Sequence, residues 1–91
     1  MEAKNIDVYK EAIIYEEELK IDLMKFINSI CKKRKLSQKE ICKILKMKQP
    51  RVSDLQNLKS VCFSVTILRR ISFVLGYREM KSDRGLNLVK I

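Results

Sequence analysis

Three cysteines, Cys31, Cys42 and Cys62, carry the most reactive side chains of the 91-residue chain, which contains no histidine. Their separations of 11 and 20 residues include no Cys-x-x-Cys pair, so we expect neither a zinc site nor a disulfide framework. The only glycines, Gly76 and Gly85, cannot form a phosphate-binding loop, and the commonest general base is absent. We therefore expect buried thiols in a reducing compartment, no metal, no cofactor and no enzymatic activity.

The cationic side chains are concentrated in one part of the chain. The net charge is +9, and residues 32–59 alone hold ten basic and two acidic side chains. Residues 1–31 hold four basic and seven acidic side chains, and residues 60–91 hold six and two. A concentrated basic patch attracts polyanions, with nucleic acid as the first candidate and an anionic membrane surface as the second. The alternative is a solvated lysine face without any partner.

The first predicted element is an amphipathic helix that ends at the basic run 32–35. Its apolar residues recur at steps of three and four residues, at Leu19, Leu23, Phe26, Ile27 and Ile30. The basic run suits the partial negative charge of a helix C-terminus, and the same cations could contact phosphate. Upstream, residues 6–15 include several apolar side chains, and three glutamates follow them. This pattern predicts a short extra helix or a mobile arm.

Two short helices follow the basic run. Ser37 and Glu40 have the spacing of a capping box, which predicts a helix from Ser37 to Leu45. The apolar pattern breaks at residues 46–48. A second helix then runs from Gln49 to Leu58, because Pro50 is tolerated in a first helical turn.

The last predicted elements are a helix and a strand. Ser64 can cap a helix from Val65 to Leu75, whose inner face carries Ile67, Leu68, Ile71, Val74 and Leu75, and Gly76 can end it. The segment Leu86 to Ile91 has the composition of a strand, which needs a partner subunit or another short strand to pair with.

The two short helices with a three-residue break between them form a helix-turn-helix, whose second helix can lie in the major groove of DNA. Counted from Gln38, the motif requires apolar residues at its fourth, eighth, tenth, fifteenth and eighteenth positions, which are Ile41, Leu45, Met47, Val52 and Leu55. The fifth position must be small because the second helix crosses there, and Cys42 meets this requirement. Its thiol is therefore interpreted as a packing group.

The segments Leu36 to Leu45 and Gln49 to Leu55 resemble the Cro/repressor (XRE) helix-turn-helix family, and the resemblance extends from Leu19 to Gly76. The Gln-Pro-Arg-Val-Ser-Asp-Leu run, with Phe-Ser after it, looks most like the subgroup of HigA-like antitoxins and small regulators. The resemblance implies an all-α, lambda-repressor-like bundle of about five helices, with room for a short C-terminal strand. Two positions depart from the pattern: Lys46 replaces the usual turn glycine, and Lys48 replaces the usual serine or threonine cap.

The resemblance also implies the site residues. The side chains expected to contact bases are Gln49, Pro50, Arg51, Ser53 and Asp54. Those expected to contact phosphate are Gln38, Lys48, Asn57, Lys59 and Ser60, with Gln38 also bracing the second helix. A glutamine amide can pair with the N6 and N7 edge of adenine, and an arginine with guanine O6 and N7 or with phosphate.

Other roles stay open for four of these residues. Gln49 could be merely solvated, and Arg51 could pair with Asp54 three residues along its own helix. Pro50 could touch a thymine methyl group, although starting the helix is sufficient reason for its presence. Asp54 could accept from cytosine, orient Arg51 or select against wrong sequences.

Taken together, the resemblance implies a sequence-specific repressor that binds a double-stranded operator as a homodimer. We expect an N-terminal arm or short helix at 1–18, the DNA-binding domain at 19–76 and a tail at 77–91 that could supply a dimer strand. The dimer surface would be the Val65–Leu75 helix with the tail, or the segment around Tyr9 and Ile13.

The acidic arm indicates an antitoxin that holds a small basic toxin and represses its own operon. The alternatives are a plain regulator without a toxin, and a helical interaction module that does not read DNA. The N-terminus has no secretory signal, and the longest uncharged stretch, Ser60 to Leu68, has nine residues, against the roughly 20 needed to cross a bilayer. We therefore expect no membrane partner and a cytoplasmic, nucleoid-associated protein.

Overall fold

A computed structural model describes the backbone of residues 2–82 and 85–91, and the side chains of residues 7–79 and 87–91. These residues form four α-helices, one turn of 3-10 helix and a two-stranded sheet. The elements are α1 Glu2–Lys33, α2 Gln38–Leu45, α3 Gln49–Gln56, the 3-10 turn Ser60–Cys62, α4 Val65–Val74, β1 Tyr77–Ser82 and β2 Gly85–Lys90. The predicted helical bundle with a short C-terminal strand is confirmed, with four α-helices and a 3-10 turn in place of five helices.

Helix α1 is one continuous helix of 32 residues, about 48 Å long at 1.5 Å per residue. The expected short helix or arm before residue 19 is therefore the first half of a longer helix. No glycine or proline interrupts the sequence between residues 2 and 33, so nothing breaks the hydrogen-bond ladder. The side chains of residues 7–18 are exposed, whereas Leu23, Ile27 and Ile30 are buried. Residue 18 thus marks a change in burial along one helix.

The hydrophobic core is formed by α1, the two short helices, α4 and the residue that links the 3-10 turn to α4. Its members are Leu23, Met24, Ile27, Ile30, Cys31, Ile41, Val52, Leu55, Phe63, Leu68, Ile71 and Leu75. Of the five apolar positions predicted for the helix-turn-helix, Ile41, Val52 and Leu55 are buried, and the other two, Leu45 and Met47, pack against the core. The predicted apolar pattern of the motif is confirmed.

Val74, which the sequence pattern puts on the inner face of α4, and Ile44 of α2 both lie outside the core. Ile44 is 41% exposed and Val74 is 57% exposed. Each comes one residue before a residue that packs in or on the core, Leu45 and Leu75 respectively. One step along a helix turns a side chain by about 100°, which carries both residues out of the core stripe.

The predicted helix caps are present. The Ser37 hydroxyl accepts from the Glu40 amide at 3.1 Å, and the Glu40 carboxylate accepts from the Ser37 amide at 2.9 Å, which completes the capping box. The hydrogen bond from the Ser37 backbone lowers the pKa of Glu40 below its ordinary value. The Ser64 hydroxyl accepts from the Ile67 amide at the start of α4, and Gly76, at φ 95°, follows its end.

In the part of the chain whose backbone is described, three residues other than glycine adopt the left-handed conformation: Lys35 at φ 55°, Lys46 at φ 55° and Leu58 at φ 57°. Each follows the end of a helix. A side chain in this conformation costs roughly 1–2 kcal/mol. At Lys46 the chain still makes the turn expected of a helix-turn-helix, because the Met47 amide bonds to the Cys42 carbonyl at 3.0 Å. The lysine at the usual glycine position therefore strains this turn, although the turn keeps its hydrogen bond.

The C-terminal residues form an antiparallel hairpin in which Tyr77 pairs with Lys90 and Ser82 with Gly85. The predicted strand at Leu86 to Ile91 is thus confirmed, and its partner is a strand of the same chain. The hairpin is held against the helices by a T-shaped contact between Phe26 and Tyr77, whose ring centroids are 5.0 Å apart.

All three cysteines are free thiols. Cys31 is buried, and burial raises the pKa of its thiol above the ordinary value, so the thiolate is disfavoured. Cys42 packs partly buried against the core where α2 and α3 meet, in agreement with its interpretation as a small packing residue.

We expect Lys46→Gly to stabilise the protein by about 1 kcal/mol, because glycine adopts the left-handed conformation without steric cost. The matched control is Lys43→Gly, an exposed lysine inside α2, which should destabilise by about 0.5–1 kcal/mol. Urea denaturation followed by circular dichroism measures both changes. A Lys46→Gly variant less stable than the wild type would show that the turn is not strained.

The Glu40 cap should make stability depend on pH. Because the folded-state pKa of Glu40 is lowered, its contribution is present above the unfolded pKa and is lost as the pH falls through the folded pKa. Glu40→Gln keeps a side-chain oxygen at this position but cannot titrate. Urea midpoints measured from neutral pH downwards should therefore fall more steeply for the wild type than for this variant. Parallel curves would rule out the capping carboxylate as the cause.

Candidate nucleic-acid interface

Helix α3 buries one side and exposes the other. Val52 and Leu55 are 0% and 1% exposed, because they lie three residues apart on one face of the helix and pack into the core. Gln49, Pro50 and Gln56 are exposed. The polar side of α3 therefore faces outward, as insertion into a DNA groove requires.

The two ends of α3 are held differently. At the C-terminal end, the Asn28 side-chain amide from α1 donates to the Leu55 carbonyl at 3.1 Å and caps a free carbonyl group. At the N-terminal end, Lys48 occupies the cap position in extended conformation and makes no side-chain hydrogen bond to the helix. The sequence predicted this missing cap. The N-terminus of α3 thus offers a backbone amide and a lysine together, a combination suited to a phosphate.

A network of three glutamines lies along the polar side of α3. The Gln49 side-chain amide donates to the Gln38 side-chain oxygen at 2.8 Å, and the Gln38 amide donates to the Gln56 side-chain oxygen at 3.0 Å. We call Gln38, Gln49 and Gln56 the glutamine network. Gln38 therefore makes the bracing contact with the second helix that the resemblance implied. A shallow recess beside it is lined by Gln38, Lys39, Cys42 and Gln49.

The sequence analysis missed Gln56 and Asn28. Gln56 follows Gln49 by seven residues, close to two helical turns, so their shared side of α3 was a readable signal. Asn28 lies on α1, 27 residues before the carbonyl that it caps, and no local pattern connects the two.

Arg51 does not contact Asp54, the partner that the sequence suggested within the same helix. Its guanidinium lies 4.6 Å from the centroid of the Phe63 ring, and the residue is half-buried. Asp54 instead forms an ion pair with Lys59 at 3.6 Å. The structure therefore corrects two interpretations, that Asp54 orients Arg51 and that the two residues form a simple ion pair. The guanidinium is attracted instead to a buried aromatic face. The expected guanine contact requires Arg51 to leave Phe63.

The side chain of Ser60 is buried and does not face solvent, where a phosphate could reach it. It is 8% exposed, and its hydroxyl donates to the Glu17 carboxylate of α1. The 3-10 turn directs this side chain inward, so its burial removes Ser60 from the expected set of phosphate contacts. Asn57 does remain exposed, with its amide donating to the Ser53 carbonyl at 2.9 Å and more weakly to the half-buried Ser53 hydroxyl at 3.3 Å.

The lysines of the basic segment are solvated. They are Lys32, Lys33, Lys35, Lys39, Lys43, Lys46, Lys48 and Lys59. Of these, Lys59 is paired with the carboxylate of Asp54, and that carboxylate is itself only one third exposed. The outward side of α3 is therefore polar and mostly uncharged, and exposed lysines precede and follow the helix in the chain. This arrangement suits an element that contacts bases while its surroundings contact phosphates.

Two short helices with this turn, an outward polar face on the second and exposed lysines before and after it define a DNA-binding helix-turn-helix protein. The chain matches the family of helix-turn-helix domains over residues 10–78 and belongs to that family. Such domains are typically found in DNA-binding regulators and are typically not enzymes. No curated protein and no solved structure matches the chain. Within the residues described, no helix is long and apolar enough to cross a membrane.

Proposed function

We propose that the protein is a transcription regulator that binds double-stranded operator DNA sequence-specifically, with α3 in the major groove. The observation that carries this proposal is the hydrogen bond of 2.8 Å from Gln49 to Gln38. It holds an exposed amide at the first residue of α3, where recognition helices of this geometry contact base edges. A side chain already ordered in the free protein loses less conformational entropy on binding.

The proposed contacts divide into two groups. Gln49, Pro50, Ser53 and Asp54 contact bases, and Arg51 joins them once it leaves Phe63. Gln38, Lys48, Asn57 and Lys59 contact the phosphate backbone. The supporting observations are the outward side of α3 and the exposed cations at its two ends. Base contacts then determine sequence preference, whereas phosphate contacts determine affinity and its dependence on salt.

We infer further that two copies bind as a two-fold dimer, since one module of this size covers about one half-site and the two recognition helices must lie ~34 Å apart. The observation that favours this is a set of exposed apolar side chains in the last turn of α4 and the last residues of the chain. Its members are Phe73, Val74, Val89 and Ile91, all 42% exposed or more. The Ile91 amide bonds to the Gly76 carbonyl at 2.7 Å, which brings the end of the chain beside the end of α4.

The first half of α1 supports a second partner, and with it the antitoxin role. We call residues 7–18 the α1 extension. Its exposed large apolar side chains are Val8, Tyr9, Ile13, Ile14 and Tyr15, at 57–72% exposure. An isolated helix of this length is marginal in water, so the apolar side chains favour a bound partner. The extension carries five carboxylates and one lysine, which favours a basic protein such as a small toxin over a second copy of the same acidic helix.

Substitutions at the two kinds of contact should have different effects. Gln49→Ala should weaken binding to the preferred duplex by roughly 1–3 kcal/mol and relax discrimination at one base pair. Lys48→Ala should weaken binding to all duplexes and reduce the slope of log K against log salt by about one unit. Duplexes selected by the wild type from random DNA supply the preferred sequence, and fluorescence anisotropy measures the affinities.

The matched control for charge is Lys10→Ala, which removes an exposed lysine from the α1 extension and should leave the salt slope unchanged. If Gln49→Ala and Lys48→Ala weakened all sequences equally, the division into base and phosphate contacts would be wrong. Equal binding of the wild type to selected and scrambled duplexes would favour an interaction module that does not read DNA.

The partner surface can be tested separately from the DNA surface. Ile13→Glu should abolish co-purification with a small basic protein encoded beside the gene, because it places a charge among the exposed apolar side chains of the α1 extension. Val61→Glu is the control, since Val61 is 89% exposed outside the α1 extension. Ile13→Glu should bind the selected duplex as the wild type does, because residue 13 lies outside the DNA-binding surface. A stable complex that survives Ile13→Glu would exclude the α1 extension as the docking surface, and absence of any complex would favour a regulator without a toxin.

A further inference from the structure

The glutamine network joins the first and last residues of α3 through a residue of the neighbouring helix. Gln49 and Gln56 stand at the two ends of α3, and Gln38, at the start of α2, contacts both, at 2.8 and 3.0 Å. Both contacts are between side-chain amides. The sequence of donors and acceptors therefore has a direction, which runs from Gln49 through Gln38 to Gln56.

This direction determines what Gln49 can offer to a base. A primary amide has two N–H donors on nitrogen and an acceptor oxygen. In the present direction, one Gln49 N–H is given to Gln38, so the second N–H and the carbonyl oxygen are left in a fixed order along α3. Adenine presents N7 as an acceptor and N6 as a donor in the major groove, also in a fixed order. Reversing the amide exchanges the donor and the acceptor relative to the base pair.

Gln38 cannot fix this direction alone, because its own amide could turn over and exchange its donor and acceptor. In the structure, Gln56 accepts from the Gln38 nitrogen and leaves the Gln38 oxygen for Gln49. The backbone beneath Gln56 is held in turn, since the Asn28 amide donates to the Leu55 carbonyl at 3.1 Å and lies 3.5 Å from the Gln56 carbonyl. The backbone from which the Gln56 side chain extends is thus anchored to α1.

We propose that Gln56 is a positioning residue for specificity: by accepting from Gln38, it sets the direction of the glutamine network and so the base pair that Gln49 prefers. The proposal rests on the proposed function, in which Gln49 contacts a base. Gln56 itself need not touch DNA. Its effect is confined to the one base pair that faces Gln49, which distinguishes it from a residue that merely supports the fold.

Three substitutions separate the possible roles of residue 56. Gln56→Glu leaves only an acceptor and preserves the direction. Gln56→Lys leaves only a donor, so Gln38 must turn its oxygen towards residue 56 and its nitrogen towards Gln49, which reverses the direction. Gln56→Leu has the size to cover the site but cannot hydrogen-bond, and leaves Gln38 free to turn.

The probes are four duplexes that carry the sequence selected by the wild type. They differ only at the base pair at which the Gln49→Ala variant no longer discriminates, and each carries one of the four possible base pairs there. For each variant, the ratio of the dissociation constants of the four duplexes is measured. The introduced charges change binding to all four alike, so this ratio isolates the base preference. We expect Gln56→Glu to keep the wild-type preference, Gln56→Leu to reduce the preference about tenfold, and Gln56→Lys to prefer a different base pair.

The controls distinguish failure of this inference from failure of the proposed function. If Gln49→Ala retains full discrimination at every position, Gln49 does not read a base and the proposed function is wrong at this residue. If Gln49→Ala loses discrimination at one position while all three Gln56 variants keep it, the role of Gln56 alone is overturned. Equal ratios in the Glu and Lys variants would likewise overturn it. Because Gln56 is exposed, all variants should unfold at the wild-type urea concentration.

Discussion

Burial of Val52 and Leu55 is the interaction on which the DNA-binding surface depends. Both side chains are almost completely removed from water, which stabilises the fold by roughly 1.5–3 kcal/mol each. It also fixes the rotation of α3 about its own axis. With about 100° between successive residues, Gln49 and Gln56 lie on the flank next to α2, and Arg51 is turned about 200° from Gln49. The same rotation therefore brings the glutamines to Gln38 and the arginine to Phe63.

Contacts from the neighbouring elements also hold α3 in its position. Asn28 caps its last turn from α1, Gln38 holds its polar flank from α2, and Phe63 holds Arg51 on the opposite flank. Each contact joins α3 to a different part of the chain, so the helix cannot rotate or slide without losing several of them together. Gln49 and Arg51 thus inherit their order from tertiary contacts.

The sequence predicted those parts of this arrangement that depend on local pattern. The capping box at Ser37, the break at Lys46 and the apolar positions of the motif follow from spacing over a few residues, and the structure confirms them. Arg51 lies on the Phe63 ring and also donates to the Cys62 carbonyl at 3.5 Å, 11 residues away, and Ser60 donates to Glu17, 43 residues away. Such contacts are set by the packing of whole elements, which no local pattern encodes. Strand β1 was missed for a related reason, since its polar residues become a strand only by pairing with β2.

The continuity of α1 gives the charge distribution a structural meaning. The α1 extension is acidic, whereas the surface around α3 is basic. A DNA duplex carries one negative charge per about 1.7 Å of its axis, so the α1 extension is repelled by any duplex that the basic surface attracts. Binding with α3 towards DNA is therefore favoured electrostatically over orientations that bring the α1 extension to the duplex. Because the exposed apolar side chains of α1 lie on the repelled part, binding in this orientation does not cover them, which leaves them accessible to the protein partner proposed above.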